Sequence, residues 1–176
     1  MIELIAVIFS LISVILTIKV SKYCWYFGII GVIFYMIVFY QSKLWGNFGF
    51  QFIFLLQNII GIVNWNINNT KISYIKNKWK LIFYTVLLYP IFYIISKNSS
   101  MPVCDSIITL FSIIATYLLV YKKIESWIYW LIVDIIAIYM FYKSELYLST
   151  SLYFIFIITA VIGLINWIKI LKNDKI

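Results

Sequence analysis

The strongest local signal for chemistry is one face of an apolar segment near residue 130. Trp127, Trp130 and Asp134 are spaced at i, i+3 and i+7, so on a helix they share one face. Indoles can stack on a planar ring or hold a cation, and a carboxylate accepts hydrogen bonds from hydroxyl or ammonium groups. The structural alternative is an interfacial tryptophan belt with Asp134 as a packing group. Because an acid inside an apolar segment is costly and usually faces a cavity or a partner, we favour a ligand site.

A second polar stripe lies on an earlier apolar segment. Asn47, Gln51, Asn58 and Trp65 recur at spacings of four and seven, with Gln57 beside them. Amides both donate and accept hydrogen bonds, which suits sugar hydroxyls or a carboxamide. Each amide taken alone fits interhelical packing equally well, but together they favour a lined cavity.

Other kinds of chemistry have no matching residues. The sequence has no histidine and only two cysteines, Cys24 and Cys104, which lie far apart, so zinc and haem sites are excluded. Serine, threonine and cysteine residues lack a neighbouring base, so no catalytic nucleophile is arranged. Glu125 and Glu145 fall at helix ends and are expected to be solvated. We predict no catalytic residue, no metal and no cofactor, and a membrane enzyme is therefore the weakest alternative.

The elements that position these residues are transmembrane helices. Hydrophobic residues make up 65% of the 176 positions and charged residues 11%, a composition that a water-soluble domain does not have. Open strands cannot satisfy their backbone in lipid, and the alternation of a barrel is absent. The fold class is therefore an all-α transmembrane bundle of seven helices. The predicted spans are residues 3–18, 25–41, 47–65, 79–96, 103–121, 126–142 and 147–168.

Lysine positions predict the orientation, because positively charged short loops stay in the cytoplasm. One side carries 11 lysines and the other 3, which predicts an outside N-terminus and an inside C-terminus. Scattered lysines form no stripe, so nucleic acid is not a predicted partner. Cys24 and Cys104 fall at opposite faces and are not expected to pair. The richer side holds Lys19, Lys22, Lys71, Lys76, Lys78, Lys80, Lys122, Lys123, Lys169, Lys172 and Lys175, against Lys43, Lys97 and Lys143.

An internal repeat defines the predicted architecture. Residues 25–65 align without a gap on 127–167, at an offset of 102. Copies separated by four spans share one orientation, an arrangement known from transporters with parallel repeats. We predict two three-helix bundles, 1–66 and 102–168, joined by a basic loop and linker helix at 67–101 and followed by a tail at 169–176. The matched residues include Trp25 with Trp127, Gly61 with Gly163, Asn64 with Asn166 and Trp65 with Trp167.

The polar residues of the two copies differ although the scaffold is kept. Gln51 corresponds to Tyr153, Asn58 to Ala160 and Asp134 to Val32. This asymmetry is expected when one asymmetric ligand lies between two similar halves. Glycines in the copies are expected to permit close helix contact and not to act as hinges; they are Gly28, Gly31, Gly61 and Gly163. Pro90, inside the linker helix, is expected to be a tolerated kink.

These residues resemble the PnuC family of bacterial vitamin transporters. The resemblance rests above all on Trp127-Ile-Tyr-Trp130-Leu-Ile-Val-Asp134, with Trp25, the Gly28-Ile-Ile-Gly31 segment and the tryptophan that ends each copy. It covers nearly the whole chain. The third span ends Gly61-Ile-Val-Asn64-Trp65 and departs from the common family pattern, which is richer in aromatic residues there. The choice of vitamin therefore stays open.

The resemblance implies a SWEET-like facilitator in the bacterial cytoplasmic membrane, assembled as a homotrimer. Such proteins equilibrate an unphosphorylated vitamin by alternating access, and an intracellular kinase traps it. Nicotinamide riboside is our first substrate, with thiamine or riboflavin as alternatives, and a non-transporting membrane scaffold subunit is the alternative of another class. The partners are then the vitamin and the lipid bilayer. The predicted substrate-binding residues are Trp127, Trp130, Asp134, Gln51, Gln57, Asn58, Asn64 and Trp65.

Overall fold

The computed structural model describes residues 2–41, 45–67, 71–145 and 147–173, and within these ranges the regular secondary structure consists of α-helices. The all-α prediction is confirmed, and most helix ends lie within two residues of the predicted spans. The seventh helix differs most, since it continues to Asn173. Lys43 and Lys175 lie outside the described residues. The helices are α1 (Ile2–Ile18), α2 (Cys24–Gln41), α3 (Trp45–Ile67), α4 (Lys78–Ser96), α5 (Pro102–Val120), α6 (Glu125–Lys143) and α7 (Tyr147–Asn173).

Six of these helices, α2 to α7, are long and apolar enough to cross a membrane. The remaining helix, α1, is apolar and has 17 residues, which is at the short end of the range of about 17 to 25 that spans a bilayer. Helices suit this environment because every internal backbone group is bonded within its own segment. The chain is therefore a multi-pass membrane protein.

Local sequence explains several helix boundaries. The side chain of Asn77 accepts a hydrogen bond from the backbone N–H of Lys80 at 3.0 Å and so caps the start of α4. Pro102 begins α5, where a missing N–H costs nothing, and Asp105 lies in the same first turn. Pro90 lies inside α4, and the helix continues past it to Ser96. This agrees with the expectation that the proline is tolerated within the span.

Six helices close a ring by successive contacts. α1 packs against α2, α2 against α3, α3 against α5, α5 against α6, α6 against α7, and α7 returns to α1. α4 stands outside this ring against α5, and none of its residues is buried. Because every ring helix has two neighbours, side chains on their inner faces are shielded from lipid. This is where polar groups can be kept inside a membrane protein.

Glycines allow the closest helix contacts, as the sequence predicted. A Cβ atom at Gly61 would overlap the indole of Trp25, and one at Gly163 would overlap the indole of Trp127. Gly28 leaves room for the side chain of Asn58 in the same way. The first two contacts are related by the offset of 102, so each copy seats a tryptophan on a glycine of the third helix of its own copy.

The repeat is also visible in two backbone turns. Val20 and Lys122, again 102 positions apart, both have positive φ, at 55° and 49°. Left-handed backbone is uncommon for residues other than glycine and especially unfavourable for a β-branched side chain. In both turns the next residue's N–H returns to the carbonyl five positions earlier, which closes the helix end. These bonds run from Ser21 to Leu16 and from Lys123 to Leu118, both at 2.9 Å.

The loop before α4 is pinned to the turn between α5 and α6. Ser73 exchanges backbone hydrogen bonds of 3.1 Å with Lys122 and Ile124. Both carboxylate oxygens of Glu125 accept from the backbone N–H of Ile75, also at 3.1 Å. Glu125 is buried, so the expectation that it is solvated is wrong, because a long-range backbone donor replaces water. Glu145 is exposed as expected.

Candidate functional site

Asp134 is buried in the middle of α6 without a partner. Its side chain is 3% exposed, and among the described residues it forms neither a hydrogen bond nor an ion pair. Trp130, one turn earlier, is half-buried and packs against the buried aromatic groups at the start of α6. A buried carboxyl group in this position can accept hydrogen bonds from a ligand that brings its own donors.

Four tryptophans from four helices form a cluster next to Trp130. In this tryptophan cluster, Trp25 of α2 meets Trp65 of α3 edge to face at 5.3 Å and 88°. Trp127 of α6 meets Trp167 of α7 in the same way, at 5.5 Å and 89°. Trp65 and Trp167 then meet each other at 6.2 Å. The cluster thus consists of two copies of one arrangement, joined through the tryptophans that end the copies.

Hydrogen bonds from this cluster join the two copies. The indole N–H of Trp65 donates to the carbonyl of Val120 on α5, and that of Trp167 donates to the carbonyl of Thr17 on α1, both at 3.1 Å. The amide of Asn166 adds a bond to the carbonyl of Ile18 at 2.7 Å. Each third helix is therefore tied to the first helix of the other copy, at one end of the ring.

The other two indoles of the cluster have no acceptor. The N–H groups of Trp25 and Trp127 are buried and make no hydrogen bond within the described residues. A buried donor without a partner is rare, since leaving it unpaired costs about 1–3 kcal/mol. The hydroxyl of Ser126, next to Trp127 in the chain, is also buried and unpaired. These donors are available to a ligand acceptor if the cluster opens.

Lys122 covers the outer side of the cluster. Its ammonium group lies 4.6 Å from the ring centre of Trp65, within the range of a cation–π interaction. Burial lowers the pKa of Lys122, and the nearby Cys24 opposes that shift. The residue at the equivalent position of the first copy is Val20, so only the second of the two turns has a cation at this position. This is a second asymmetry between otherwise matched turns.

The amides of α3 contact neighbouring helices. The side chain of Gln57 donates to the carbonyl of Ile113 on α5 at 2.9 Å, while its own oxygen is buried without a partner. Asn58 donates to the carbonyl of Phe54 in its own helix at 2.8 Å. Its oxygen is directed toward Gly28 of α2. The side chains of Gln57 and Asn58 therefore each donate to a backbone carbonyl and keep an oxygen that can accept a further hydrogen bond.

The eight predicted site residues do not all lie together. Trp127, Trp65 and Trp130 are brought together at the tryptophan cluster. Asn64 is buried beside Trp65 in the chain, and Gln51 is half-buried on the preceding turns of α3. Asp134, Gln57 and Asn58 lie farther from the cluster along their helices and are also buried.

Sequence reasoning missed a tyrosine that packs against the face of α6 on which Asp134 lies. The ring of Tyr153 on α7 lies 5.2 Å from that of Phe141, which is two turns beyond Asp134 on the same face of α6. Tyr153 was visible in the sequence only as the residue that replaces Gln51 in the second copy.

A cleft elsewhere does not coincide with these residues. It has a volume of about 140 Å³, lies between the start of α3, the end of α4 and the start of α5, and contains none of the eight predicted site residues. Within the described residues no group of three Cys, Asp or Glu side chains could hold a metal ion. The inner faces of the ring helices therefore remain the candidate site.

The sequence profile of a family described as nicotinamide mononucleotide transporter matches residues 1–169. The chain belongs to this family. Membership confirms the resemblance to PnuC proteins and the prediction of a membrane transporter for a small vitamin, not an enzyme.

Curated relatives in this family are named nicotinamide riboside transporter PnuC. The protein of Escherichia coli (strain K12) is 24% identical over 186 aligned residues, which cover 86% of this chain and 77% of the relative. The protein of Neisseria mucosa is 26% identical over 178 residues, covering 89% of this chain and 67% of the relative. The match is therefore distributed over nearly the whole chain.

A solved structure shares the fold of this family member. A crystal structure of the vitamin B3 transporter PnuC superposes with a TM-score of 0.79 at 21% sequence identity. The superposition covers 98% of this chain and 82% of the other. The seven-helix arrangement described above is thus one that a transporter is known to adopt.

Proposed function

We propose that this protein transports nicotinamide riboside across the bacterial cytoplasmic membrane. Movement is by facilitated diffusion with alternating access, and an intracellular kinase traps the vitamin by phosphorylation. The names of two relatives support this substrate, and membership of the family described as nicotinamide mononucleotide transporter supports a nicotinamide compound as the cargo. No coupling ion is needed for this mechanism, because phosphorylation removes the transported form from the equilibrium.

The observation that carries the proposal is the unpartnered acid inside the ring. Asp134 is 3% exposed and lacks a hydrogen-bond donor in the described chain, while Trp130 lies one turn away on the same face. A buried carboxylate needs a partner, since an isolated charge is strongly disfavoured in a low-dielectric interior. A ligand with a cationic aromatic ring and hydroxyl groups supplies both a charge and donors, which nicotinamide riboside has.

The remaining site residues have separate roles in this proposal. Trp130 stacks on the pyridinium ring, and Trp127 closes the site beside it. Gln51, Gln57 and Asn58 bind polar atoms of the ligand, and Gln57 and Asn58 retain free acceptor oxygens for this purpose. Asn64 and Trp65 lie at the edge of the site, at the tryptophan cluster where the two copies meet.

The proposal includes the arrangement of the chain in the membrane. Residues 1–66 and 102–168 form two parallel three-helix bundles joined by 67–101, a division supported by the matched contacts at Gly61 and Gly163. All seven helices span the bilayer, with the N-terminus outside and the tail 169–176 inside. Three copies assemble into a homotrimer.

Thiamine and riboflavin are the alternative substrates. Thiamine also carries a cationic ring, so it suits indole faces and one carboxylate, whereas neutral riboflavin gains less from Asp134. A non-transporting scaffold subunit is the alternative of another class, and it requires no ligand at all.

Thermal-shift titration of the purified protein against the three vitamins separates these possibilities. We expect nicotinamide riboside to raise the melting temperature in a saturable manner, since a ligand that binds only the folded state stabilises it. Uptake of the labelled vitamin into vesicles should then saturate over the same concentration range. A protein that no vitamin stabilises and that takes up none would contradict the proposal and favour the scaffold.

Two substitutions test the site within that assay. Asp134→Asn keeps the shape of the side chain but removes the charge, and Trp130→Ala removes the stacking surface. Loss of a charged hydrogen bond is worth about 1.5–3 kcal/mol, so we expect affinity for nicotinamide riboside to fall by roughly 10- to 100-fold in Asp134→Asn. Glu145→Gln, at an exposed acid beyond α6, is the matched control and should bind normally. Equal transport by both site variants would refute the site assignment.

A further inference from the structure

A single isoleucine from the loop before α4 completes the tryptophan cluster. Ile72 is 5% exposed and belongs to the same buried hydrophobic group as the four indoles. The other buried members of this group in the described chain lie on the ring helices, apart from Ile124 in the turn that leads into α6. Ile72 therefore fills the closed end of the ring with a side chain that belongs to no helix.

Ser73 attaches this loop to the turn between α5 and α6. Its N–H donates to the carbonyl of Lys122, and its carbonyl accepts from the N–H of Ile124, both at 3.1 Å. The ammonium group of Lys123 donates to the hydroxyl of Ser73 at 2.7 Å. These three bonds follow Ile72 directly in the chain and so fix the position of its side chain in the cluster.

A carboxylate holds the next part of the loop. The N–H of Ile75 donates to both carboxylate oxygens of Glu125 at 3.1 Å, and the side chain of Ile75 packs against a second buried cluster that is centred on α5. Glu125 is buried, and a buried charge is stable only with such partners. The loop 71–77 thus runs from the tryptophan cluster to the α5 cluster and is attached between them by hydrogen bonds.

The same attachment holds the backbone of Lys122 beside the tryptophan cluster. Lys122 has a positive φ of 49°, and its carbonyl is the acceptor for Ser73, so the loop stabilises an uncommon backbone conformation. The ammonium group of Lys122 lies 4.6 Å from the ring centre of Trp65. Displacement of the loop would therefore remove Ile72 from the cluster and a bond that holds Lys122 at the same time.

The matching turn of the first copy carries different side chains. At the offset of 102, the ammonium, isoleucine and carboxylate positions of the second turn become Ser21, Lys22 and Tyr23. Lys22 and Tyr23 are exposed, whereas Ile124 and Glu125 are buried. The attachment is therefore not a general consequence of the repeat, and it covers one of two matched turns.

We propose that the loop 71–77 is a gate at this end of the ring, with Ile72 as the residue that seals the tryptophan cluster and Glu125 as the residue that keeps the loop closed. The inference rests on the proposed transport and adds the element that must move during it. The attachments of the loop can break without unfolding a helix, which suits an element that opens and closes. Because Ile72 lies among the indoles, a passage through the cluster requires the loop to be displaced.

Thiol labelling of Cys24 measures the opening of this gate. Cys24 is 1% exposed in the same cluster, and it is the only cysteine in a Cys104→Ser variant. Ile72→Ala and Glu125→Ala are added to this variant, and Ile67→Ala, at a 74% exposed isoleucine that ends α3, is the matched control. A Cys24→Ser background reports on the half-buried Cys104 at the other end of α5. Melting temperatures in detergent show that each variant is folded.

We expect labelling of Cys24 to be at least roughly tenfold faster in Ile72→Ala, as for the loss of most of a buried isoleucine side chain, and about tenfold faster in Glu125→Ala. No vitamin is required for this effect, because the substitutions destabilise the closed position itself. Ile67→Ala should match the parent. Labelling of Cys104 should not change in any variant, whereas a general loss of packing would accelerate labelling of both cysteines.

A disulfide that holds the loop closed tests the gate in transport. Ser73 and Lys123 form a parallel backbone bridge, and neighbouring strands lie about 4.7–4.9 Å apart, a separation that a disulfide can span. Ser73→Cys and Lys123→Cys are combined in a chain without Cys24 and Cys104. We expect oxidation to reduce uptake of labelled nicotinamide riboside to the level of empty vesicles, and reduction to restore it. Ser73→Cys alone should transport equally under both conditions.

Unchanged labelling of Cys24 in Ile72→Ala overturns the inference, and so does equal acceleration at Cys24 and Cys104. Full uptake by protein in which mass spectrometry shows the disulfide overturns it as well. If the wild type takes up no vitamin, the proposed function fails, and the labelling rates alone decide whether the loop closes the cluster.

Discussion

At the scale of single residues, the pairing of glycine with tryptophan is one of the closest contacts among the described residues. Gly61 and Gly163 carry the indoles of Trp25 and Trp127, and a single added methyl group would overlap either ring. Membrane helices associate largely through such close packing, because lipid tails compete with apolar side chains as neighbours. Both indoles meet a second tryptophan edge to face, so displacement of one ring would disturb the cluster.

Gly61→Ala and Gly163→Ala should therefore lower stability. Overpacking of a closely fitted contact costs about 1–3 kcal/mol, since the indole or the helix must move. Gly49→Ala is the control within the same helix as Gly61, because nothing lies within 4 Å of an added Cβ there and alanine is the better helix former by about 1 kcal/mol. Melting temperatures in detergent should fall for the first two variants and stay equal or rise for Gly49→Ala. A fall for Gly49→Ala equal to that for Gly61→Ala would contradict this reading.

The role of Trp127 shows what residue types alone could not decide. Its spacing from Trp130 and Asp134 predicted a shared face, and the three do lie on one helix. Trp127 is buried against Gly163, and Trp25 makes the equivalent contact with Gly61 in the other copy. No acid follows Trp25 along its helix. One residue can thus both pack against a neighbouring helix and line a binding site. Spacing along one helix cannot distinguish these two roles, because the glycine that Trp127 packs against lies on another helix.

At the scale of elements, the loop between α3 and α4 is the part whose structure the sequence did not indicate. Its lysines predicted only a cytoplasmic side, yet Ser73 and Ile75 are hydrogen-bonded to the turn between α5 and α6 and to the start of α6. The side chain of Ile72 is buried there, and Lys123 donates to the hydroxyl of Ser73 at 2.7 Å. Hydrophobic periodicity locates spans well, but it carries no information about a loop whose partners are some 50 residues away.

Glu125→Ala should release this loop. Both carboxylate oxygens accept from the N–H of Ile75, and a hydrogen bond to a charged group is worth about 1.5–3 kcal/mol. Hydrogen exchange of the amides in 71–77 should accelerate accordingly, while exchange in α2 stays slow. Glu125→Gln keeps one acceptor and should give an intermediate effect.

Glu145→Ala is the control for this prediction, because Glu145 is an exposed acid just beyond the other end of α6. It should leave exchange in 71–77 unchanged. Unaltered exchange in Glu125→Ala would mean that the contacts of Ser73 and Ile72 hold the loop without the carboxylate.

At the scale of the whole molecule, the ring of helices is closed at the end that holds the tryptophan cluster. Indole and amide bonds to Thr17, Ile18 and Val120 tie each third helix to the other copy at this end. The predicted orientation places that end at the cytoplasmic face. If the protein works by the proposed alternating access, these bonds must break together when the vitamin is released into the cell.

Cys24 can report this opening, because it is 1% exposed within the same buried cluster. In a Cys104→Ser variant it is the only cysteine, and a thiol reagent can reach it only when the cluster separates. We expect slow labelling without ligand and faster labelling when nicotinamide riboside is present on both sides of the membrane, since turnover populates the open state. Adding Asp134→Asn should abolish the acceleration.

The control is Cys24→Ser, which leaves the half-buried Cys104 near the start of α5. Labelling of Cys104 should not respond to the vitamin in the same way. A rate at Cys24 that is fast without ligand, or that the vitamin leaves unchanged, would place the moving barrier elsewhere in the ring.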